Sequence, residues 1–396
     1  MLSGAKILFC FCWMLIFYTY AGFPLLLAFI ARRGGNAISI AEVAEEDLPR
    51  VTMIVAAYDE ATALPAKLAN TWALDYPADR FTLLIGSDGS ADATPEILRD
   101  CDEARLQAHC FAERRGKISV LNDLVARAKT EILIMSDANT MFAPDAIRLL
   151  VAPFADPAVG CVSGELVIEQ AGGVSGEGIY WKYEGWIKRN ESRLGFLIGC
   201  NGGIFALRCS LYDVLPTSTI VEDFVLTLRV LEKGFRVRFE PGARGTEPAC
   251  ISAKAEMTRK IRIGAGGFQA LGLTRSLLHP RFGVIAFSFW GHKVLRWLVP
   301  QFFLLALLSN LVLLRAPLFA ALLVLQTGGA FIALRAYHAK PGREPGRLAR
   351  PVGYFYLMNY ALLCGFFRFL FGAQRVTWDR AAPPDSTSAY EAEVNA

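Results

Sequence analysis

Four groups of residues in this chain have the types and spacing of a reaction site. The first is a set of three carboxylates, each where a short apolar run ends. Val51–Ala57 leads to Tyr58-Asp59-Glu60, Phe81–Ile85 to Gly86-Ser87-Asp88-Gly89-Ser90, and Ile132–Met135 to Ser136-Asp137-Ala138-Asn139. One such aspartate caps a turn or a helix. Three on one edge of one sheet repel each other, and are usually kept where a cation or polar ligand compensates. The second group is Glu222-Asp223, at the start of an amphipathic stretch through Phe224, Leu228 and Leu231 to Gly234. Acids in a first helical turn favour the helix dipole; aimed at a pocket, one becomes a general base. The third group is Arg259, Lys260 and Arg262, just before Gly264. These form a solvated basic face or, opposite an acidic metal site, a diphosphate clamp. The fourth is Gly199-Cys200-Asn201-Gly202-Gly203, a plain turn or a wall that lets a ligand approach the backbone. Tyr180, Trp181, Tyr183 and Trp186 crowd one further stretch, either as packing or as a stacking platform for a sugar ring.

Strands and helices must alternate to bring these groups together. Leu64, Leu68 and Trp72 mark a helix after the first strand, and Asp92 caps another with Pro95 in its first turn. Leu106–Phe111 is a third strand, Lys117–Ala128 a helix, and Pro144 opens the helix after the fourth strand. This repetition predicts an α/β domain with a mostly parallel sheet and helices on both faces. Ligands of such sheets bind at the carboxyl ends of the strands. No GxGxxG follows the first strand and no GxxxxGK[ST] occurs, which argues against nicotinamide and P-loop chemistry. The four histidines, His109, His279, His292 and His338, lie apart in sequence from the acids, so a His-centred triad or His-rich metal site is not expected. Nine scattered cysteines without a CxxC suit free thiols in a reducing compartment.

The chain has 396 residues, 54% of them hydrophobic and 20% charged, with a net charge of +4. That charge is too weak and too spread to imply a nucleic-acid partner. The apolar excess is concentrated. Ile7–Ala31 is charge-free and followed by Arg32-Arg33, and Trp297–Leu314, Ala316–Leu334 and Pro351–Phe367 are charge-free as well. About 20 such residues span a bilayer as a helix, so four spans are expected, the last being the shortest. Residues 282–298 mix Phe287, Phe289, Trp290 and Trp297 with His292, Lys293 and Arg296, the pattern of an amphipathic interfacial helix. Arg32, Arg33, Arg335, Lys340, Arg343, Arg347 and Arg350 place the central block on the cytoplasmic side of a multi-pass protein of the inner (plasma) membrane. The expected organisation is an anchor (1–33), a soluble domain (48–278), the interfacial helix (282–298), membrane segments (299–371) and a disordered tail (380–396).

The series Ala56-Ala57-Tyr58-Asp59-Glu60, Ser87 to Thr94, Gly116-Lys117 with Leu121-Asn122, Asp137-Ala138-Asn139, Gly199–Gly203 and Glu222-Asp223 resembles inverting glycosyltransferase family 2. This is the membrane-anchored, GT-A-fold group that includes the cellulose, chitin and hyaluronan synthases. The resemblance covers roughly residues 48–275. It implies that Asp59 and Asp88 hold the nucleotide's base and ribose and that Lys117 lies near the nucleotide or its phosphates. It implies that Asp137 belongs to the DxD element meeting Mg2+ or Mn2+ and the diphosphate. Asp223 would be the general base, supported by Glu222, and Gly199, Cys200, Asn201 and Gly202 would wall the acceptor side.

Two departures shape the expected activity. The second acid of DxD is Asn139, a neutral and weaker metal ligand. The QxxRW element of the processive synthases corresponds to Arg259-Lys260-Ile261-Arg262-Ile263, which keeps the guanidinium and lacks the Gln and the Trp. Arg262 and Lys260 would then meet the donor diphosphate, and a stacking surface for the acceptor is missing. The expected function is transfer of a sugar from a nucleotide-diphosphate sugar to a lipid-linked or other membrane-proximal saccharide acceptor. The rivals are a processive polysaccharide synthase and a non-catalytic nucleotide-sugar-binding subunit of an export complex.

Overall fold

The computed structural model describes residues 2–35, 44–169, 176–248, 253–337, 346 and 349–374. Eight strands form one sheet: β1 (Val51–Ala57), β2 (Phe81–Asp88), β3 (Leu106–Phe111), β4 (Ile132–Asp137), β5 (Met141–Phe142), β6 (Val159–Glu169), β7 (Ile204–Arg208) and β8 (Arg236–Pro248). Their order is β3-β2-β1-β4-β7-β6-β8-β5. The first four strands in that order are parallel, and β7 runs antiparallel to both β4 and β6.

The near-continuous apolar runs follow from burial on both faces. Every residue of β1 is buried. Met53 and Val55 pack into one core with Leu64, Leu83, Ile134 and Ile147, while Ile54 and Ala56 join the other with Leu84, Val120, Leu133 and Phe205. This is the period-2 alternation of a strand with helices above and below it. The helices Leu64–Trp72, Thr94–Arg99, Lys117–Arg127 and Ala146–Val151 fall where the sequence places them. Because β2, β1 and β4 are parallel neighbours, their ends coincide. Ala57 pairs in register with Ser87, and Ala56 pairs with Asp137.

Three helices are long and apolar enough to cross a membrane among the described residues: Leu2–Gly34, Val284–Val312 and Pro317–Arg335. The first meets the other two edge-on through Trp13 with Phe303 and Phe9 with Phe319. Residues 282–298 continue directly into the apolar run after them, making Val284–Val312 one rod with a π-helical turn at Phe289–Val294. The fourth apolar stretch folds as Ala349–Leu370 and lies along the Ala253–Leu273 helix of the domain. A Cβ on Gly365 would stand 2.7 Å from the Ala265 amide nitrogen and 2.8 Å from the Ile261 carbonyl oxygen, so the two backbones touch there. The tail at 380–396 and Lys340, Arg343 and Arg347 lie outside the described residues.

Candidate active site

The three strand-end aspartates share one edge of the sheet and do three different jobs. Asp59 has φ 52°, a left-handed conformation that Asp tolerates better than most residues. Its Oδ1 accepts the Ala91 amide at 2.8 Å, and its own amide donates to Ser90 Oγ at 3.1 Å. The amides of Glu60 and Ala61 donate to Thr94 Oγ1 and Asp92 Oδ2, so the loops after β1 and β2 are zipped together.

Asp88 is 4% exposed, and its two oxygens accept the amides of Arg115 and Gly116 at 2.7 and 2.8 Å. It is therefore the clamp that sets the start of the Lys117–Arg127 helix. Gly89 makes this possible: a Cβ there would lie 2.5 Å from the Arg114 amide nitrogen, and its φ is +64°. Arg114 in turn lies over the Tyr58 ring at 3.8 Å, beside the Asp59 turn.

Asp137 is about a third exposed, and its Oδ1 accepts from Lys117 Nζ at 2.7 Å. Lys117 also forms an ion pair with Glu222. Burial opposes the charge on Lys117, but Asp137 and Glu222 outweigh it and hold the ammonium above its ordinary range. Burial likewise opposes ionisation of Asp137. The charges of Lys117, Lys67 and Arg262 overcome it and keep that carboxyl below the usual value. Asn139 is half-buried in the turn that follows.

Glu222 and Asp223 open the helix Glu222–Glu232 directly across from Asp137. Burial, with Glu222 adding repulsion, pushes the Asp223 carboxyl up to about 6. Two carboxylates side by side thus differ in role. Glu222 is tied to Lys117, while Asp223 is poised to exchange a proton near neutrality. Gly202 faces Asp223, and Gly199 (φ +103°) lies under the Phe224 ring. Cys200 is buried and its amide donates to Thr227 Oγ1 at 3.1 Å. Asn201 donates from Nδ2 to the Gly164 carbonyl and accepts from Lys188 Nζ, each at 2.6 Å.

The basic group divides. Arg262 faces Asp137 closely enough to stabilise its charge, and its Nη1 reaches the Ile220 carbonyl. Lys260 pairs with Glu256 at 3.2 Å and sits over the Trp181 ring at 5.8 Å. Arg259 also pairs with Glu256. Tyr180 meets the Tyr354 ring on the Ala349–Leu370 helix, and Tyr183 donates to the Tyr20 carbonyl in the first apolar helix.

Sequence reasoning missed the support behind Asp137. Lys67 is fully buried and donates to Ser136 Oγ at 2.7 Å and to the Thr140 carbonyl at 2.6 Å, so it holds both ends of the Asp137–Asn139 turn. Glu247, near the end of β8, accepts from Thr140 Oγ1 at 2.5 Å, and burial together with Asp137 raises its carboxyl. Lys67 carried a signal. It lies three residues after Leu64 and one before Leu68, on the helix's apolar stripe, where a lysine is out of place. Glu247 carried none.

Residues 52–215 match the family model described as glycosyl transferase family 2. A poly-β-1,6-N-acetyl-D-glucosamine synthase of Staphylococcus aureus (strain COL) is 27% identical over 235 residues, 57% of this chain and 56% of that protein. The synthase of the same name from Staphylococcus epidermidis is 26% identical over 252 residues, 61% of this chain and 60% of that protein. The chain thus spans little more than half the length of the curated relatives it matches. Among solved structures, the mannosyltransferase PcManGT from Pyrobaculum calidifontis, in complex with GDP-Man and Mn2+, superposes with a TM-score of 0.72 at 23% identity. That match covers 93% of this chain and 100% of the other, flanking helices included, and the shared fold is of the GT-A type.

Proposed function

Since the segment 52–215 belongs to glycosyl transferase family 2 and is built on a GT-A-type sheet, we propose that the chain is an inverting membrane glycosyltransferase. It moves a sugar from a nucleotide-diphosphate donor to a lipid-linked or other membrane-proximal saccharide acceptor. The observation that carries the reading is a group of unlike carboxylates around one ammonium. Lys117 pairs with both Asp137 and Glu222 and holds Asp137 ionised, and Asp223, next to Glu222 in the same first helical turn, is raised to about 6.

In this reading the donor lies along the ends of β1, β2 and β4. The loop pinned by Asp59 and Asp88 meets the nucleotide, and Asp137, Lys117 and Arg262 meet the diphosphate. The donor set suits a divalent ion shared with the substrate. Among the described residues no three His, Cys, Asp or Glu gather into a cage, whereas Asp137 and Asn139 offer one carboxylate and one amide oxygen. Mg2+ characteristically binds through one or two carboxylates plus phosphates and water. Mg2+ or Mn2+ held by Asp137 and Asn139 would supply charge compensation for the departing diphosphate. Asp223 takes the proton of the acceptor hydroxyl as that oxygen attacks the anomeric carbon. Arg262 and Lys117 offset the charge growing on the leaving group.

The three apolar helices support a membrane location. We place the domain on the cytoplasmic side, where Arg32 and Arg33 follow the first of them. Polymer formation is a second reading, favoured by the names of the staphylococcal relatives. Ile263, 40% exposed, stands beside Arg262 where a stacking Trp would serve a growing chain, and it favours transfer of one or a few sugars. The test is radiolabel transfer from a panel of nucleotide sugars into membranes, with product length read on a gel. Asp223→Asn should lose about 10²–10⁴-fold in turnover while donor binding survives. Near-normal turnover in that variant would remove Asp223 as the base.

A further inference from the structure

A second charged cluster lies beside the Gly199–Gly203 loop, between the Gly176–Arg193 helix and the Val284–Val312 rod. Glu184 is buried and receives three side chains from the rod, two of them cationic. Lys293 Nζ donates to Oε1 at 3.0 Å, Arg296 Nη1 donates to Oε2 at 2.6 Å, and His292 Nε2 lies 2.9 Å from Oε1. Burial resists its ionisation, but these charges hold the carboxyl well below the usual range. The other ring nitrogen of His292 lies 2.7 Å from Glu191 Oε1. Glu191 Oε2 accepts the amide of Ile198, at the mouth of the loop, at 3.1 Å.

Lys188 completes the path. It is one turn from Glu184 on the same helix, is 6% exposed, and donates to Asn201 Oδ1 at 2.6 Å. Burying an ammonium against a neutral amide is a costly way to gain stability. Its geometric effect is definite. Asn201 donates through Nδ2 to the Gly164 carbonyl and through its amide to Ser163 Oγ, so Lys188 fixes the remaining end of the carboxamide. The next residue, Gly202, is the surface against which Asp223 rests.

We propose that Lys188 is a positioning residue for the acceptor. It sets the Asn201-Gly202 wall beside Asp223 and ties that wall, through Glu184 and Glu191, to the rod that enters the bilayer. The acceptor is therefore a molecule presented at the junction of membrane and domain, and donor binding at the β1, β2 and β4 ends is independent of this network. The inference rests on the transferase reading above, and its test separates the two.

The experiment uses the full chain in nanodiscs, as wild type, Lys188→Met and Lys188→Arg. Hydrogen exchange of the 198–203 amides is measured alongside hydrolysis of UDP-N-acetylglucosamine and GDP-mannose without acceptor, and transfer into total membrane lipid. Lys188→Met should speed exchange at 198–203 at least tenfold, leave β1 and β4 protected, and leave the donor KM for hydrolysis within twofold. Lipid transfer should fall at least tenfold, and Lys188→Arg should restore it to within threefold. Unchanged exchange at 198–203 overturns the proposal, as does a donor KM for hydrolysis that rises along with the loss of transfer. If Lys188→Met does not fold, Lys188→Gln, which keeps a donor at shorter reach, carries the same comparison. A wild type that hydrolyses neither donor counts against the transferase reading, and the exchange data still decide whether Lys188 positions the loop.

Discussion

A Cβ added to Gly202 would stand 3.0 Å from Oδ2 of Asp223 and 3.2 Å from its Cγ. The carboxylate thus rests directly on backbone, in a space that any larger residue would occupy. That contact joins the helix bearing the proposed base to the loop proposed to wall the acceptor side.

Gly202→Ala should therefore act as a displacement of Asp223 rather than as a loss of fold. Misplacing a reacting group by about 1 Å costs on the order of 10²-fold in rate. The variant should lose about 10–100-fold in kcat, with donor KM within twofold and the melting temperature nearly unchanged. Steady-state kinetics with a fixed acceptor preparation provide the check, and an unaltered kcat would show that the wall does not set the base.

The pH profile follows from the same carboxylate. Asp223 is raised to about 6 by burial and by Glu222, and a general base must be deprotonated to act. Activity should therefore be lost as pH falls through about 6 and be flat just above it. Glu222→Gln removes the neighbouring negative charge, so the acid limb should move to lower pH. A limb that stays put would assign it to another group.

The elements that position the site were legible because their signals are local. Val51–Ala57 and Leu64–Trp72 have the bounds their apolar patterns give, and the three aspartates end strands whose parallel register brings them together. What each aspartate does was not legible. The sequence shows Asp88 in a Gly/Ser turn, but the amides that occupy it come from Arg115 and Gly116, beyond the next strand. Lys260 reads as a site cation, and in the structure it also pairs with Glu256, one turn earlier. The interfacial stretch at 282–298 has the composition of a surface helix. Yet Phe289 is buried against Phe224, and His292 and Arg296 are buried because Glu184 and Glu191 on a distant helix supply partners that no spacing rule predicts.

Lys67 should matter more to the turn it holds than to any substrate. Lys67→Met strips donors from Ser136 Oγ and the Thr140 carbonyl, each loss worth about 1–3 kcal/mol in a buried setting. The ion concentration giving half-maximal activity should rise severalfold as the Asp137–Asn139 turn loosens. The stability difference should also depend on pH. Burial lowers the Lys67 ammonium to about 7, so between about 7 and 10.5 the unfolded chain binds a proton that the folded chain does not. Stability of the wild type then rises with pH relative to the variant across that window. Melting curves of both proteins at pH 7 and pH 9 measure it, and a gap that shrinks at pH 9 contradicts it.

The crossing of Ala253–Leu273 with Ala349–Leu370 predicts a remote effect on the donor side. At Gly365 a Cβ would meet the Ala265 amide nitrogen, the Ile261 carbonyl oxygen at 2.8 Å and the Gly264 carbonyl carbon at 2.9 Å. All three are backbone and cannot swing aside. Gly365→Leu must push the helices apart at the residues flanking Arg262, whose charge helps hold Asp137 ionised. Donor KM should rise about tenfold, equivalent to about 1.4 kcal/mol, while the acid limb near pH 6 stays where Asp223 puts it. Nucleoside diphosphate titration against the full chain isolates the effect, because that ligand meets the diphosphate groups without needing an acceptor. Unchanged affinity there would mean that Arg262 takes its position from Ile220 and not from the C-terminal helix.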